Sequence, residues 1–137
     1  MIKNRILKLL IAILFIFYIA LILNITIFRS ESIREINIYP VVMLIKIYKN
    51  CGVTEFLYLV LGNIGWFCPS GFILPLLFKN MNLKKVMLFT FLFSLSIEIS
   101  QYVFSVGYTE LDDLILNTLG GFLGYLAYVK SLKVQDL

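Results

Sequence analysis

Histidine is absent from this 137-residue chain, and cysteine occurs only twice. Without imidazole, the usual zinc constellations and the His-based catalytic triads are excluded. Cys51 stands just before an apolar run and Cys68 lies inside it, roughly 20 Å deeper at about 1.5 Å of rise per helical residue. A disulfide does not reach across that distance. Charge is scarce as well: Asp, Glu, Lys and Arg make up 15% of the residues against 61% hydrophobic. Soluble domains carry about 25% charged residues, so the composition is that of a membrane protein. The net charge of +4 does not point to nucleic acid, because the basic residues are scattered between apolar runs and form no stripe. Long linkers, low-complexity tracts and internal repeats are missing too, and residues 1–137 read as one domain.

What is present is a succession of apolar runs. Lys3, Arg5 and Lys8 precede a charge-free run, and a first transmembrane helix is expected over residues 9–28. The basic start resembles a secretory signal. A signal's apolar region is only about 7–15 residues, however, and no small-residue cleavage site precedes Arg29. Residues 33–50 are too charged to span. Their apolar positions 38, 41, 42, 45 and 48 recur at helical spacing, which predicts an amphipathic segment on the outer membrane surface, started or bent at Pro40. A connecting loop is the alternative.

A second span is expected over residues 55–78. Gly62, Asn63, Gly65, Pro69, Ser70, Gly71 and Pro75 crowd into it. A helix kinked or broken near Pro69 follows, with its freed backbone groups facing protein. Further spans are expected over 86–106 and 113–129. The fold class is therefore all-α, a polytopic membrane protein of four transmembrane helices with an outer amphipathic segment between the first two. Eight Lys and Arg residues fall on one side (Lys3, Arg5, Lys8, Lys79, Lys84, Lys85, Lys130, Lys133) and four on the other (Arg29, Arg34, Lys46, Lys49). That asymmetry places both termini in the cytoplasm of a multi-pass protein.

Polar residues interrupt the last two runs in register. Ser94, Glu98, Gln101 and Ser105 share one helix face, and Asp113, Asn117, Gly120, Gly121 and Gly124 share another. Successive antiparallel helices are neighbours, so the two faces can meet, with Asn63 at a similar depth near the outer surface. An ionised acid near a helix centre costs roughly 2.5–3.5 kcal/mol on insertion scales. Protonating a carboxyl of reference pKa near 4.3 at pH 7 costs about 3.7 kcal/mol. Neither is cheap, so Glu98 is expected to have a partner: Gln101, Asn117, Asn63, Arg29 or Arg34. Simpler roles stand beside these. Gly120 and Gly124, with Gly71 and Gly121, suit close helix packing. Asp112 and Asp113 suit the N-terminal dipole of the last helix, and Asn63 and Asn117 suit interhelical hydrogen bonding.

The same residues carry a family resemblance. Glu98-x-x-Gln101, Gly107, the acidic run ending in Asp112-Asp113, Asn117 and Gly120-Gly121 with Gly124 resemble the signature of the VanZ-like membrane proteins. Asn63, Phe67, Pro69, Gly71 and Pro75 are similar to a second element of that family, and Arg34, Asn37 and Pro40 to a third. Two departures stand out: Tyr108 occupies a position where many members have Arg, and Glu110 one where Asp is common. The first leaves Arg34 as the better cationic partner for the acids. The resemblance implies a four-helix bacterial cell-envelope protein linked to glycopeptide resistance, chiefly to teicoplanin.

The site expected on this basis comprises Arg34, Asn63, Glu98, Gln101, Asp112, Asp113 and Asn117, without metal or cofactor. Membrane lipids surround it. Its ligand is expected to be a lipid-linked cell-wall precursor or the lipid-bearing part of a lipoglycopeptide. The alternative is an enzyme acting on a lipid head group, with Glu98 and Asp113 as acid and base. No nucleophile beside a base is visible in support of it.

Overall fold

The computed structural model describes residues 4–27, 35–37, 39–106 and 108–135. Among these, the chain is helical apart from one pair of three-residue strands. In order come α1 (Arg5–Ile27), β1 (Glu35–Asn37), α2 (Val42–Cys51), α3 (Val53–Leu77), α4 (Leu83–Phe104), β2 (Tyr108–Glu110) and α5 (Leu111–Gln135). Among the described residues, three helices are long and apolar enough to cross a membrane: Arg5–Thr26, Val53–Leu77 and Leu83–Phe104. The exposed faces agree with a lipid solvent. Ile6, Leu9, Leu10, Ile13, Leu14, Ile16 and Phe17 are all exposed on α1, a surface that in water would be an association patch.

The helix ends follow local chemistry. Asn4 accepts the Ile6 amide at 2.9 Å through its side chain and so caps α1. Asn82 does the same for α4, accepting from the Lys85 amide at 3.0 Å. Helix α3 runs unbroken through both Pro69 and Pro75, so the break considered near Pro69 is not made. The Tyr18 hydroxyl of α1 donates to the Trp66 carbonyl, beside the Gly65 carbonyl that a proline at 69 leaves without its amide. The buried hydroxyls of Ser70 and Thr90 bond to carbonyls of their own helices, Phe67 at 2.6 Å and Val86 at 3.1 Å.

Residues 33–50 differ from a single amphipathic helix. Their first part holds β1, which pairs in parallel with β2 so that Glu35, Ile36 and Asn37 lie against Tyr108, Thr109 and Glu110. Helix α2 begins two residues after Pro40, behind Val41 in the left-handed region at φ 68°, and buries no residue. Arg34 and Gly107 lie outside the described residues.

Helix α5 packs most extensively on α3 rather than on its chain neighbour α4. Glycines set that approach. A Cβ added at Gly71 would stand 2.8 Å from the Gly121 carbonyl carbon, and one at Gly124 would stand 3.0 Å from the Gly71 Cα. Gly120 faces Phe67 and the Ile64 carbonyl, and Gly121 faces Thr90 of α4. With no side chain between them, the backbones of α3 and α5 touch. Two apolar clusters complete the interior. Phe15, Leu74, Leu77 and Val86 form one, and Ile22, Phe67 and Ile97 form the other.

Candidate functional site

The second cluster is the floor of a small cavity. Ile22, Phe67 and Ile97 line it together with Ile25, Thr26, Asn63, Trp66, Glu98, Gln101, Asp113 and Asn117, enclosing about 50 Å³. Five of the seven residues expected at the site are thus brought together, from three helices: Asn63 on α3, Glu98 and Gln101 on α4, and Asp113 and Asn117 on α5. Helix α1 adds Thr26.

Each polar wall residue is held by a specific contact. The Asn63 Nδ2 donates to Asp113 Oδ1 at 2.6 Å, which ties α3 to the start of α5. The Asn117 Nδ2 donates to Ser94 Oγ at 2.9 Å, which ties α5 to α4. Gln101 donates its Nε2 to the Thr26 carbonyl of α1 at 3.3 Å. The Glu98 carboxylate accepts the backbone amide of Glu110 at 2.9 Å. None of the side-chain partners expected for Glu98 supplies that bond. The amides of Asn63, Gln101 and Asn117 are engaged elsewhere, and the end of β2 presents a main-chain donor instead. Arg29 and Arg34 lie outside the described residues.

Asp112 does not line the cavity. Its Oδ1 accepts the Val41 amide at 2.7 Å, so it holds the start of α2 rather than a wall of the site. Adjacent residues on a helix point about 100° apart, and Asp113 therefore faces the cavity while Asp112 turns to the outer segment. Sequence reasoning passed over Thr26, Trp66 and the Glu110 amide. Thr26 ends a uniformly apolar run and Trp66 reads as packing, while a main-chain donor leaves no compositional mark.

Three buried oxygens have no hydrogen-bond partner among the described residues: Gln101 Oε1, Asn117 Oδ1 and Asp112 Oδ2. Two of these belong to cavity-lining side chains. The chemistry on offer is therefore that of hydrogen-bond acceptors: two amide oxygens beside two carboxyl groups over an apolar floor. Among the described residues no group of three or more Cys, Asp or Glu residues is gathered in the manner of a conventional metal centre.

A family model described as VanZ/LLP1 matches residues 10–133. Protein VanZ from Enterococcus faecium is 38% identical over 74 residues, which is 54% of this chain and 46% of that protein. The matched region thus covers under half the length of this curated relative. No solved structure matches.

Proposed function

The chain belongs to the VanZ/LLP1 family, and from that premise we propose that it is a resistance-associated protein of the bacterial cytoplasmic membrane. In this reading it contributes to glycopeptide, chiefly teicoplanin, resistance by holding a polar group of a lipid-linked cell-wall precursor or of a lipoglycopeptide. The observation that carries the reading is the cavity lined by Asn63, Glu98, Gln101, Asp113 and Asn117. Its volume of about 50 Å³ compares with roughly 30 Å³ per water molecule. It receives one small group of a ligand, and the rest of that ligand lies in the surrounding lipid or above the helix ends.

The topology that serves this reading has four spans. Helix α5 is 25 residues long, about 38 Å at 1.5 Å per residue, enough for a core of about 30 Å. Polar residues at 117 and 118 and charges at both ends lower its hydropathy. The Lys and Arg asymmetry sets both termini in the cytoplasm. The cavity then opens toward the outer face, with α2 lying on that surface and presenting Val42, Ile45 and Tyr48 to lipid.

Glu98→Gln tests the reading, because the amide keeps an acceptor for the Glu110 amide while losing the charge. At matched protein levels in a resistant strain, teicoplanin protection should disappear. Unchanged susceptibility would remove the proposal. One feature favours an enzyme as a second reading: Glu98 and Asp113 line the same cavity and can divide acid and base roles. Purified protein incubated with envelope lipids should then yield a new species by mass spectrometry, and Asp113→Asn should stop it.

A further inference from the structure

We propose that the cavity is a site for a small monovalent cation, taken either as a free alkali ion or as the ammonium group of a larger amphiphile. This goes beyond the resistance reading and stands without it.

The argument is a balance of donors and acceptors. Gln101 spends its amide nitrogen on the Thr26 carbonyl, and a carbonyl only accepts, so the orientation of that amide is fixed. Its Oε1 is left buried without a partner. Asn63 spends its nitrogen on the Asp113 carboxylate. Asn117 spends its nitrogen on Ser94 Oγ and leaves Oδ1 buried without a partner. Gln101 and Asn117 are each only 6% exposed, so bulk water does not satisfy these oxygens. A buried acceptor left without a donor is costly, which makes two on the walls of one small cavity a demand for an occupant.

The sign of that occupant follows. Phosphate or carboxylate would meet the unpartnered amide oxygens of Gln101 and Asn117, the negative ends of their dipoles. A cation meets the same atoms favourably, and amide and carboxylate oxygens are hard ligands. Charge and number of ligands separate the cations. Calcium takes 6–8 oxygens, and magnesium demands an octahedron and keeps several waters. The side chains of Glu98, Gln101, Asp113 and Asn117 line only about 50 Å³, and Asp113 Oδ1 and one Glu98 oxygen already accept hydrogen bonds, which leaves too little for either. Sodium or a primary ammonium fits both the size and the ligand set.

Trp66 provides the readout, since it is the single tryptophan and lines the cavity. The purified full chain in detergent is titrated with sodium, potassium or methylammonium chloride, with choline chloride holding ionic strength constant. The expected result is a saturable change in Trp66 fluorescence and a rise in unfolding temperature, neither produced by choline. Apparent affinity should fall at least tenfold in Gln101→Leu and Asn117→Leu, and Asp112→Asn should leave it unchanged because Asp112 lies outside the cavity. Glu98→Gln should weaken it likewise, and it serves where a leucine variant does not fold. A response to the alkali ions as well as to methylammonium identifies a free ion, whereas a response to methylammonium alone identifies a head-group amine. Equal behaviour of every salt overturns the proposal, as does a response that survives substitution of Gln101, Asn117 and Glu98. Neither overturning result bears on teicoplanin susceptibility, so this inference and the resistance reading fail separately.

Discussion

Gly124→Ala is the sharpest test of how α3 and α5 are held together. The added methyl would stand 2.9 Å from the Cys68 carbonyl carbon and 3.0 Å from the Gly71 Cα, with the Cys68 oxygen nearer still. Ordinary contacts of a carbon with carbon or oxygen begin at about 3.2–3.5 Å, and the Cys68 oxygen is the limiting one, so the helices must separate by more than about 1 Å. Both obstacles are main chain, which no rotamer change relieves. Overpacking of this kind costs about 1–3 kcal/mol, and the upper figure applies here. Alanine returns up to about 1 kcal/mol through helix propensity. The net loss is about 2 kcal/mol, a roughly 30-fold fall in the folded-to-unfolded ratio. Unfolding by SDS in mixed micelles, followed through Trp66 fluorescence, measures it. Gly62→Ala and Gly65→Ala are the controls, since a Cβ at either position meets nothing within 4 Å. They should be neutral or slightly stabilising. If Gly124→Ala unfolds at the same SDS fraction as these controls, the glycine contact does not hold the two helices.

Four further outcomes are expected. Cys51 is exposed at the end of α2, and in the proposed topology a membrane-impermeant maleimide labels it in intact cells; labelling only after permeabilisation would invert the topology. Asp112→Ala should cost about 2 kcal/mol by stripping the acceptor from the Val41 amide. Val41→Gly should stabilise by about 1 kcal/mol, because φ 68° strains a β-branched residue; SDS unfolding reads both effects, and a destabilised Val41→Gly would contradict the strain. Tyr18→Phe removes the bond to the Trp66 carbonyl and should cost about 1 kcal/mol in the same assay, within the range for interhelical hydrogen bonds in membranes.

The long helices were legible because hydropathy states them directly. Residues 55–78 and 86–106 fall almost on α3 and α4. Helix α5 continues to Gln135, well past residue 129, since Lys130 and Lys133 end a lipid-soluble run without ending a helix. The gathering of Glu98, Gln101, Asp113 and Asn117 was legible from helical spacing and from the adjacency of successive helices, and Asn63 joined them by its depth alone. Which hydrogen bonds they form was not. Glu98 is bonded by a backbone amide twelve residues on, and the strand pair behind it joins residues about seventy positions apart. Segments of three residues carry no periodicity, and their partner is chosen by the folded bundle. The same holds for Asp112 and Asp113: composition treats them as one acidic pair, whereas helix geometry turns one toward α2 and the other into the cavity.

The packing glycines and the polar cavity belong to one device. Asn63 reaches Asp113 at 2.6 Å only because α3 and α5 approach along Gly71, Gly120, Gly121 and Gly124, and Gly120 sits less than one turn below Asn117. Separating these helices by about 1 Å would stretch that contact to about 3.6 Å, beyond the hydrogen-bond range. Gly120→Ala should therefore injure the site as well as the fold, since its Cβ would stand 3.0 Å from that of Phe67, part of the cavity floor. The check is resistance measured against stability. In a series of glycine variants, protection should fall further at Gly120 than at Gly124, which lies a turn deeper, for the same loss of unfolding free energy. A single line through both positions would mean that the cavity tolerates the spreading and that its residues act without close registration.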